Sequence, residues 1–236
     1  VPCIVGPQQD EALAVIEAQA ARHLAPILAY GQQWHVSQEA GRMVYQDETG
    51  LLDLPKPNLL GAHQISNAGA ALAALRQLGI AAGPCEAAVT QAQWPARMQR
   101  LRKGPLVDTA PAAELWLDGG HNPHAARAIA RQLNNMPGRT ALVAAMLASK
   151  DATGYFMPFR QVRPEVFTLP NAPGHQGAEP QALTEAATNA GLKAAAYDSL
   201  EAALKAAAAT GVDRILICGS LYLAGEVLAQ NGEPPA

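Results

Sequence analysis

Acidic, imidazole and amide side chains lie together in the sequence DGGHNP at residues 118–123. This stretch follows the apolar run 115–117, which is typical of a strand, and an Asn before a Pro favours a helix start at Asn122. A strand end, a Gly turn and a helix N-terminus form the place where α/β sheets bind ligands, and the free backbone N–H groups favour an anion. There Asp118 can accept from a hydroxyl group and His121 can donate to an oxyanion. The alternative is a helix cap that binds only backbone, but so many such residues in one turn favour a functional site.

Three more polar residues stand at predicted element boundaries. Arg97 lies in WPARMQ, where Trp and Pro interrupt a helical pattern, and an Arg on such a linker can bind a phosphate held between two domains. Lys150, in MLASKD, follows an apolar strand and can neutralise a carboxylate or a phosphate. For both, the alternative is a solvated surface side chain. Asn67, in the first turns of an Ala-rich helix, can bind a purine edge or can simply be a capping or inward polar residue.

One sheet edge is expected to gather several of these positions. Ser220 follows a strand and a Gly, as the DGGHNP stretch does, and the carboxyl ends of parallel strands share one edge. We therefore expect Asp118, Lys150 and Ser220 to face one crevice. The polar loop NAPGHQGAE at residues 171–179 belongs to the same edge and is either a substrate lid that carries His175 or a flexible connection.

The composition excludes several classes of function. Of the 236 residues, 49% are hydrophobic, enough for a core in one large or two small domains. A net charge of −3 and 5% aromatic residues argue against a nucleic-acid partner, which requires a basic or base-stacking face. Cys3, Cys85 and Cys218 lack CxxC spacing, so we expect no disulfide, no zinc site and a cytoplasmic location. No apolar run approaches the roughly 20 residues of a membrane helix, and no signal peptide is visible, so we expect no membrane partner. Because the sequence begins inside a predicted strand, we expect a piece of a longer protein.

Two domains are predicted, over residues 1–93 and 94–236. In the second, predicted strands alternate with helices, which indicates βαβ units. These strands cover residues 106–108, 115–118, 141–145, 166–169, 194–197 and 215–218, and the helices cover residues 123–133, 152–161, 180–190, 199–209 and 220–230. The expected fold is α/β, with a Rossmann-like, mainly parallel six-stranded sheet and helices on both faces. In the first domain we predict strands and helices over residues 1–5, 10–24, 27–30, 34–37, 43–46, 65–78 and 84–92, and two prolines exclude residues 51–60 from the middle of a sheet.

The motifs HQxxNA, WPxRMQ, LDGxHNPHA, MLxxKD and CGS occur in this order along the chain. Together they resemble the second half of the folylpolyglutamate synthase / dihydrofolate synthase family, relatives of the Mur ligases, over nearly the whole chain. The most specific element is LDGGHNPHAA, because the family carries D-x-A-H-N-P-H-A there. The resemblance implies the tail of a partial α/β central ATPase domain over residues 1–93 and a C-terminal glutamate-ligase domain over residues 94–236.

The resemblance also implies a reaction. The family uses ATP to phosphorylate the carboxylate of dihydropteroate or a reduced folate, and the amine of L-glutamate then attacks the acyl phosphate and expels phosphate. Family members are usually monomeric, although a partial central domain can self-associate. The implied contacts are Asn67 with adenine, Arg97 with the ATP phosphates, Asp118 with the ribose, His121 beside the phosphates, and Lys150 and Ser220 with the incoming glutamate. The implied catalytic residues are Arg97, Asp118 and His121.

The sequence departs from the family pattern in small and large ways. Ala96 replaces a Gly before the Arg, and Gly120 replaces an Ala before the His, both exchanges between small residues. The motif GxxxxGK[ST], with which the family's ATPase domain begins, is absent from the 236 residues. The Mg²⁺ ligands of the family are expected upstream as well, so we expect no metal ligand within this chain.

Since consecutive backbone N–H groups that cradle phosphate cannot be replaced by one Arg and a helix end, we expect the chain alone to fold, at least in its C-terminal part, but not to catalyse. The alternative is a non-catalytic module that retains the fold and binds a nucleotide or glutamate. A nicotinamide-binding domain is disfavoured because LDGGHNPH lacks the G-x-G-x-x-G spacing, and HNPHA favours the folate branch over the peptidoglycan Mur ligases.

Overall fold

The computed structural model describes residues 1–233, which form two compact units, residues 1–93 and residues 94–233. Each unit has its own apolar core. Within the described residues, no helix combines the length and the apolar character that crossing a membrane requires.

The first unit contains a small antiparallel sheet and a separate pair of parallel strands. Its elements are β1 (Cys3–Val5), α1 (Asp10–Arg22), β2 (Ile27–Ala29), β3 (Trp34–Glu39), β4 (Arg42–Asp47), β5 (Gly50–Leu54), α2 (His63–Gln77) and α3 (Ala82–Gln91). Strands β1 and β2 pair in parallel, and β3, β4 and β5 form the antiparallel sheet in that order. The strand β5 therefore lies at an edge, and no part of residues 51–60 is central in this sheet, as predicted from their two prolines.

Helix α2 packs closely against the antiparallel sheet. Trp34 and Val36 alternate with exposed residues along β3 and point toward the helix side, where Leu72 is fully buried. A Cβ atom at Gly69 would lie 2.6 Å from Val36 Cγ1 and 2.8 Å from the Trp34 ring. Glycine at this position therefore allows the helix to approach the sheet, and a larger residue would push the two apart.

The second unit is a six-stranded α/β sheet. Its elements are β6 (Gln99–Leu101), α4 (Pro105–Thr109), β7 (Glu114–Leu117), α5 (Pro123–Asn134), β8 (Thr140–Ala144), α6 (Ala152–Phe156), β9 (Glu165–Thr168), α7 (Pro180–Asn189), β10 (Ala194–Ala196), α8 (Leu200–Ala209), β11 (Arg214–Cys218) and α9 (Leu221–Gln230). The strand order is β10-β9-β8-β11-β7-β6, and every pair is parallel except β6 with β7. The predicted α/β fold with a mainly parallel six-stranded sheet is thus confirmed.

Helices cover both faces of this sheet. Along β11, Ile215 and Ile217 belong to the cluster that includes residues of α4, α8 and α9, whereas Leu216 and Cys218 belong to the cluster that includes residues of α5, α6 and α7. All five residues of β11 are buried. Burial on both faces explains why these strands read as continuous apolar runs without alternation.

Two predicted elements of the second unit differ from the structure. Residues 106–108, predicted as a strand, form part of helix α4, which begins at Pro105 after Gly104 with φ of +115°. Pro suits the first helical position, and a stretch as short as Leu-Val-Asp has no helical or strand period of its own. The sixth strand is instead β6, which pairs antiparallel with β7. The helix predicted over residues 152–161 is α-helical only to Phe156 and continues as a 3₁₀-helix over Met157–Gln161, which contains a proline.

The carboxyl ends of three strands lie side by side. In the ladder, Ile217 of β11 pairs with Leu117 of β7, and Cys218 pairs with Ala144 of β8. The chain segments that leave these strands therefore start at the same sheet edge, where open α/β sheets bind ligands.

Candidate functional site

The segment that leaves β7 is organised by the carboxylate of Asp118. This side chain is only 6% exposed. Its Oδ1 accepts a hydrogen bond of 2.7 Å from the Gly120 N–H, and its Oδ2 accepts one of 2.9 Å from the Met98 N–H. Asp118 therefore fixes its own turn and joins that turn to the segment that carries Arg97.

The backbone on both sides of Arg97 adopts an unusual conformation. Ala96 has φ of +54° and Met98 has φ of +44°, in the left-handed region that non-glycine residues rarely occupy. Two hydrogen bonds hold Ala96 in place: its carbonyl accepts from Gly119 N–H at 2.8 Å, and its N–H donates to Gln99 Oε1 at 2.9 Å. Strained backbone that is held by its surroundings concentrates at functional sites, and here it presents one arginine beside the strand end.

The guanidinium of Arg97 lies against the glycine turn. Its Nη1 donates to the Ala96 carbonyl at 3.3 Å, and a Cβ atom at Gly119 would lie 3.4 Å from that same nitrogen. Such a Cβ would also overlap Leu221 Cδ2, so a larger residue at Gly119 would require the half-exposed Leu221 side chain to shift. Because a guanidinium has five N–H donors, this arrangement leaves donors for an anion.

The helix after the turn begins as its sequence predicts, and His121 is oriented by the backbone. Asn122 is the N-cap of α5 and its Oδ1 accepts from Ala125 N–H at 2.9 Å, with Pro123 as the first helical residue. The Nδ1 of His121 is 3.1 Å from the Gly119 carbonyl. A carbonyl can only accept, so we assign the proton to Nδ1. The Nε2 atom is then the one that can meet a ligand.

A pocket of about 300 Å³ adjoins this turn. The segment after β11 reaches it directly, because Gly219 N–H donates to the Gly120 carbonyl at 3.1 Å. The pocket contains predicted ligand-binding residues from the ends of three strands, β7, β8 and β11, together with apolar neighbours. Its lining residues are His121, Leu147, Lys150, Gly219, Ser220, Leu221 and Tyr222. None of them is acidic, so the pocket suits a carboxylate or another small anion.

Two lining residues have contrasting environments. Ser220 is 3% exposed, and its Oγ caps α9 by accepting from the N–H groups of Tyr222 and Leu223 at 3.2 and 3.3 Å. The Lys150 ammonium, by contrast, forms no ion pair with any described residue. Its charge is therefore available to a ligand.

Two buried side chains beneath this edge, those of Cys218 and Tyr155, stay uncharged at neutral pH. Burial raises the pKa of the Cys218 thiol to about 12, and the negative charge of Asp118 acts in the same direction. Burial likewise raises the pKa of Tyr155 well above its usual value. Beneath the pocket, these two residues therefore contribute neither a thiolate nor a phenolate.

The structure brings Arg97, Asp118, His121, Lys150 and Ser220 to one edge of the second unit. Asn67, the sixth predicted residue, belongs to α2 of the first unit. It is exposed, and its Nδ2 donates to Gln64 Oε1 at 2.9 Å. Its predicted contact with adenine stays a prediction.

Sequence analysis missed three apolar residues that line the pocket, namely Leu147, Leu221 and Tyr222. A signal for the last two was present, because two large apolar residues directly follow Ser220 in the first turn of α9, and both stay about half exposed. The ring of Tyr222 stacks on His175, with ring centroids 3.4 Å apart and planes at 21°. Within residues 1–233, no group of three or more His, Cys, Asp or Glu residues is arranged to hold a metal ion.

Comparisons with known proteins identify relatives of this chain. Residues 96–221 match the family described as Mur ligase, glutamate ligase domain. The chain is 29% identical over 234 residues to the dihydrofolate synthase/folylpolyglutamate synthase of Escherichia coli K12, a match that covers 96% of this chain and 51% of that protein. The chain thus spans about half the length of this curated relative.

Solved structures of such enzymes superpose on almost the whole chain. E. coli FolC in complex with ADP gives a TM-score of 0.79 at 28% identity and covers 97% of this chain and 53% of that one. The bifunctional folylpolyglutamate synthase/dihydrofolate synthase of Yersinia pestis complexed with AMPPNP and Mn gives 0.76 at 26% identity and covers 94% and 51%.

The family match spans more than half of the chain, including the strained segment around Arg97, the Asp118 turn and the pocket up to Leu221. The chain therefore belongs to the Mur ligase family through its glutamate ligase domain and is homologous to the folylpolyglutamate/dihydrofolate synthases.

Proposed function

We propose that this chain is the glutamate-binding half of an ATP-dependent ligase that joins L-glutamate to dihydropteroate, to reduced folates or to both. The observation that carries the proposal is the convergence of Arg97, His121 and Lys150 at the carboxyl ends of β7 and β8. A reaction between ATP and two carboxylic acids brings several anionic groups together, and these residues supply donors for them.

The proposed roles follow from the positions of the side chains. Lys150 pairs with a carboxylate of L-glutamate, and Ser220 closes the same side of the pocket at the start of α9. Holding glutamate there directs its amine toward an acyl phosphate formed at the neighbouring turn, and such positioning accounts for much of the rate of a two-substrate reaction.

The neighbouring turn is the proposed ATP side of the site. Arg97 contacts the phosphates, and His121 presents Nε2 to them because its Nδ1 is held by the Gly119 carbonyl. Asp118 contacts the ribose while it continues to anchor the turn, since each carboxylate oxygen has a second lone pair. Asn67 contacts adenine. These roles, and the partial ATPase domain over residues 1–93, are carried over from the family resemblance.

We further propose that the 236 residues alone do not turn over, because they contain no GxxxxGK[ST] loop. The first test is ADP release from Mg-ATP with L-glutamate and dihydropteroate or tetrahydrofolate, with the chain alone and with a separately made P-loop domain of a family member. Turnover only in the mixture supports the proposal. Full ligation by the chain alone would contradict the expected inactivity.

Variants make this test specific to the pocket. In the mixture, Lys150→Met should raise the KM for L-glutamate by about tenfold, the loss expected for one charge-assisted contact. Lys205→Met is the matched control, because Lys205 lies on α8 and pairs only with Glu201 on the surface. If no mixture releases ADP, and ATP does not raise the thermal unfolding temperature of the chain, the second candidate is favoured, a non-catalytic nucleotide- or glutamate-binding module.

A further inference from the structure

The loop between β9 and α7 has a first arm, which follows β9, and a second arm, which leads into α7. The second arm is attached to the pocket. Ala148 N–H donates to the Gln176 carbonyl at 3.0 Å, and Ala178 N–H donates to the Met146 carbonyl at 2.9 Å. Between these bonds, Leu147 and Gly177 form an isolated β-bridge. Since Leu147 lines the pocket, the second arm of the loop is fixed directly against the pocket wall.

The tip of the loop reaches the opposite wall through an aromatic contact. His175 and Tyr222 stack face to face, with centroids 3.4 Å apart. His175 is exposed and Tyr222 is 45% exposed, so the contact is not a consequence of core packing. Among the described residues, His175 provides the only ring contact of Tyr222, and no hydrogen bond holds the Tyr222 hydroxyl. His175 is therefore in a position to orient this wall of the pocket.

The first arm of the loop is held less well. Asn171 buries both polar atoms of its amide, and neither has a hydrogen-bond partner. Gly177 lies directly against it, because a Cβ there would be 2.6 Å from Asn171 Cβ. A buried amide without partners destabilises the conformation that contains it. The loop thus combines one arm that is fixed by backbone hydrogen bonds, one arm that contains a buried unpaired amide, and an aromatic contact at its tip.

We infer that His175 is a positioning residue for the glutamate pocket: by stacking on Tyr222 it holds that ring as a wall over the bound amino acid. The inference rests on the proposed function, which assigns the pocket to L-glutamate. The imidazole acts through Tyr222, and its planar face is the property that matters. A phenyl ring can therefore replace it, whereas a methyl group cannot.

The contact itself is measured first, without any ligand. In NMR spectra of the full chain, the ring protons of His175 should shift upfield through the ring current of Tyr222 and return toward random-coil positions in Tyr222→Leu. An absence of this shift in the wild-type chain would overturn the inference at once.

L-glutamate is then titrated into the wild-type chain, His175→Ala, His175→Phe and the control His23→Ala, an exposed histidine of the first unit. We expect His175→Ala to weaken binding about three- to tenfold, the effect of one aromatic pair, and His175→Phe to bind within about twofold of wild type. The control should bind as wild type.

The outcomes separate this inference from the proposed function. Binding that His175→Ala leaves unchanged, or that His175→Phe weakens equally, overturns the positioning role and leaves the glutamate pocket intact. A wild-type chain that shows the ring-current shift but no response at Lys150 and Ser220 to L-glutamate overturns the assignment of the pocket and the inference with it.

Discussion

The carboxylate of Asp118 accepts a hydrogen bond of 2.9 Å from the backbone of Met98 and so joins the end of β7 to the segment that carries Arg97. The same carboxylate accepts from Gly120 N–H, so one buried side chain shapes both parts of the proposed ATP side. The two interpretations considered for this residue, a backbone anchor and a ligand contact, are therefore compatible. The anchoring role makes a prediction about stability as well as activity.

Replacing Asp118 by Asn should loosen both segments. One buried N–H would face an amide NH₂ group, which cannot accept, and the loss of a charge-assisted hydrogen bond costs about 2–3 kcal/mol in the free energy of unfolding. Hydrogen exchange of the slowest β11 amides measures that loss, and exchange at Met98 and Gly120 should accelerate further. The exposed Asp108→Asn is the control and should change stability by less than about 0.5 kcal/mol. Equal exchange rates of the Met98 and Gly120 amides in Asp118→Asn and Asp108→Asn would contradict the anchoring role.

Ala96 offers a test of backbone strain at the position where the family has Gly. Ala96→Gly removes the strain of a left-handed conformation, which costs Ala about 1–2 kcal/mol. The substitution also has two destabilising effects: it removes a buried methyl group, which contributes about 0.8 kcal/mol, and it makes the unfolded chain more flexible. These terms nearly cancel, so we expect a change within about 1 kcal/mol. Ala96→Val should lose at least about 2 kcal/mol, because a β-branched residue is a strong outlier at positive φ and overfills the core. Urea unfolding compares the two, and equal stability of Gly and Val variants would exclude strain at this residue.

The first unit should lose stability in acid through Asp47. Burial alone would raise the pKa of this carboxyl, but hydrogen bonds from Arg76 and Thr49 and the charge of Arg76 outweigh it and hold the pKa below its usual value. The unfolded chain then binds more protons than the folded one, so this contribution is present above the unfolded pKa near 4 and is lost as the pH falls through the folded pKa.

We expect Asp47→Asn to destabilise the first unit by about 2 kcal/mol at pH 7 and to flatten its loss of stability below pH 5. Hydrogen exchange of β4 amides across this pH range checks both effects. Asp53→Asn is the control, since its ion pair with Arg42 is about half exposed and contributes little. An acid profile that matches wild type in Asp47→Asn would contradict the assignment.

The thiol of Cys218 should resist modification while the chain is folded. Burial raises its pKa to about 12, so almost no thiolate exists at pH 8, and the side chain is 1% exposed. A disulfide reagent such as DTNB should label the partly exposed Cys3 within minutes and Cys218 only after unfolding in urea. Mass spectrometry of digested samples identifies the labelled residue. Rapid labelling of Cys218 in the native chain would show that this sheet edge opens frequently.

Local patterns predicted most of the second unit and one side of the site. The five parallel strands were predicted within about a residue, because short apolar runs bounded by Gly, Asp or Thr leave little freedom in a βαβ series. The helix start at Asn122 followed from capping chemistry. Residues 106–108 were wrongly predicted as a strand, and β6 was missed because Gln99-Arg100-Leu101 has neither β-branched residues nor an apolar run.

Contacts between distant segments could not be predicted in the same way. The bond between Asp118 and Met98, and the stack of His175 on Tyr222, depend on the path of the backbone through space. The sequence identified Arg97 as a candidate but not the left-handed residues on both sides of it, because Ala and Met carry no signal for positive φ. Residue types therefore indicated which side chains are candidates for binding a ligand, whereas tertiary contacts determine how those side chains are held.

The position of β11 in the sheet has a consequence for synthesis of the chain. Strand β7, with its antiparallel neighbour β6, joins the other three strands only through β11, which is the last strand made. While the chain emerges from the ribosome, the Asp118 turn and the Lys150 segment therefore belong to two separate pieces of sheet. They meet only after Cys218 has been translated. The second unit therefore cannot assemble its pocket step by step during synthesis, and the pocket forms in one late step, when β11 pairs with β7 and β8.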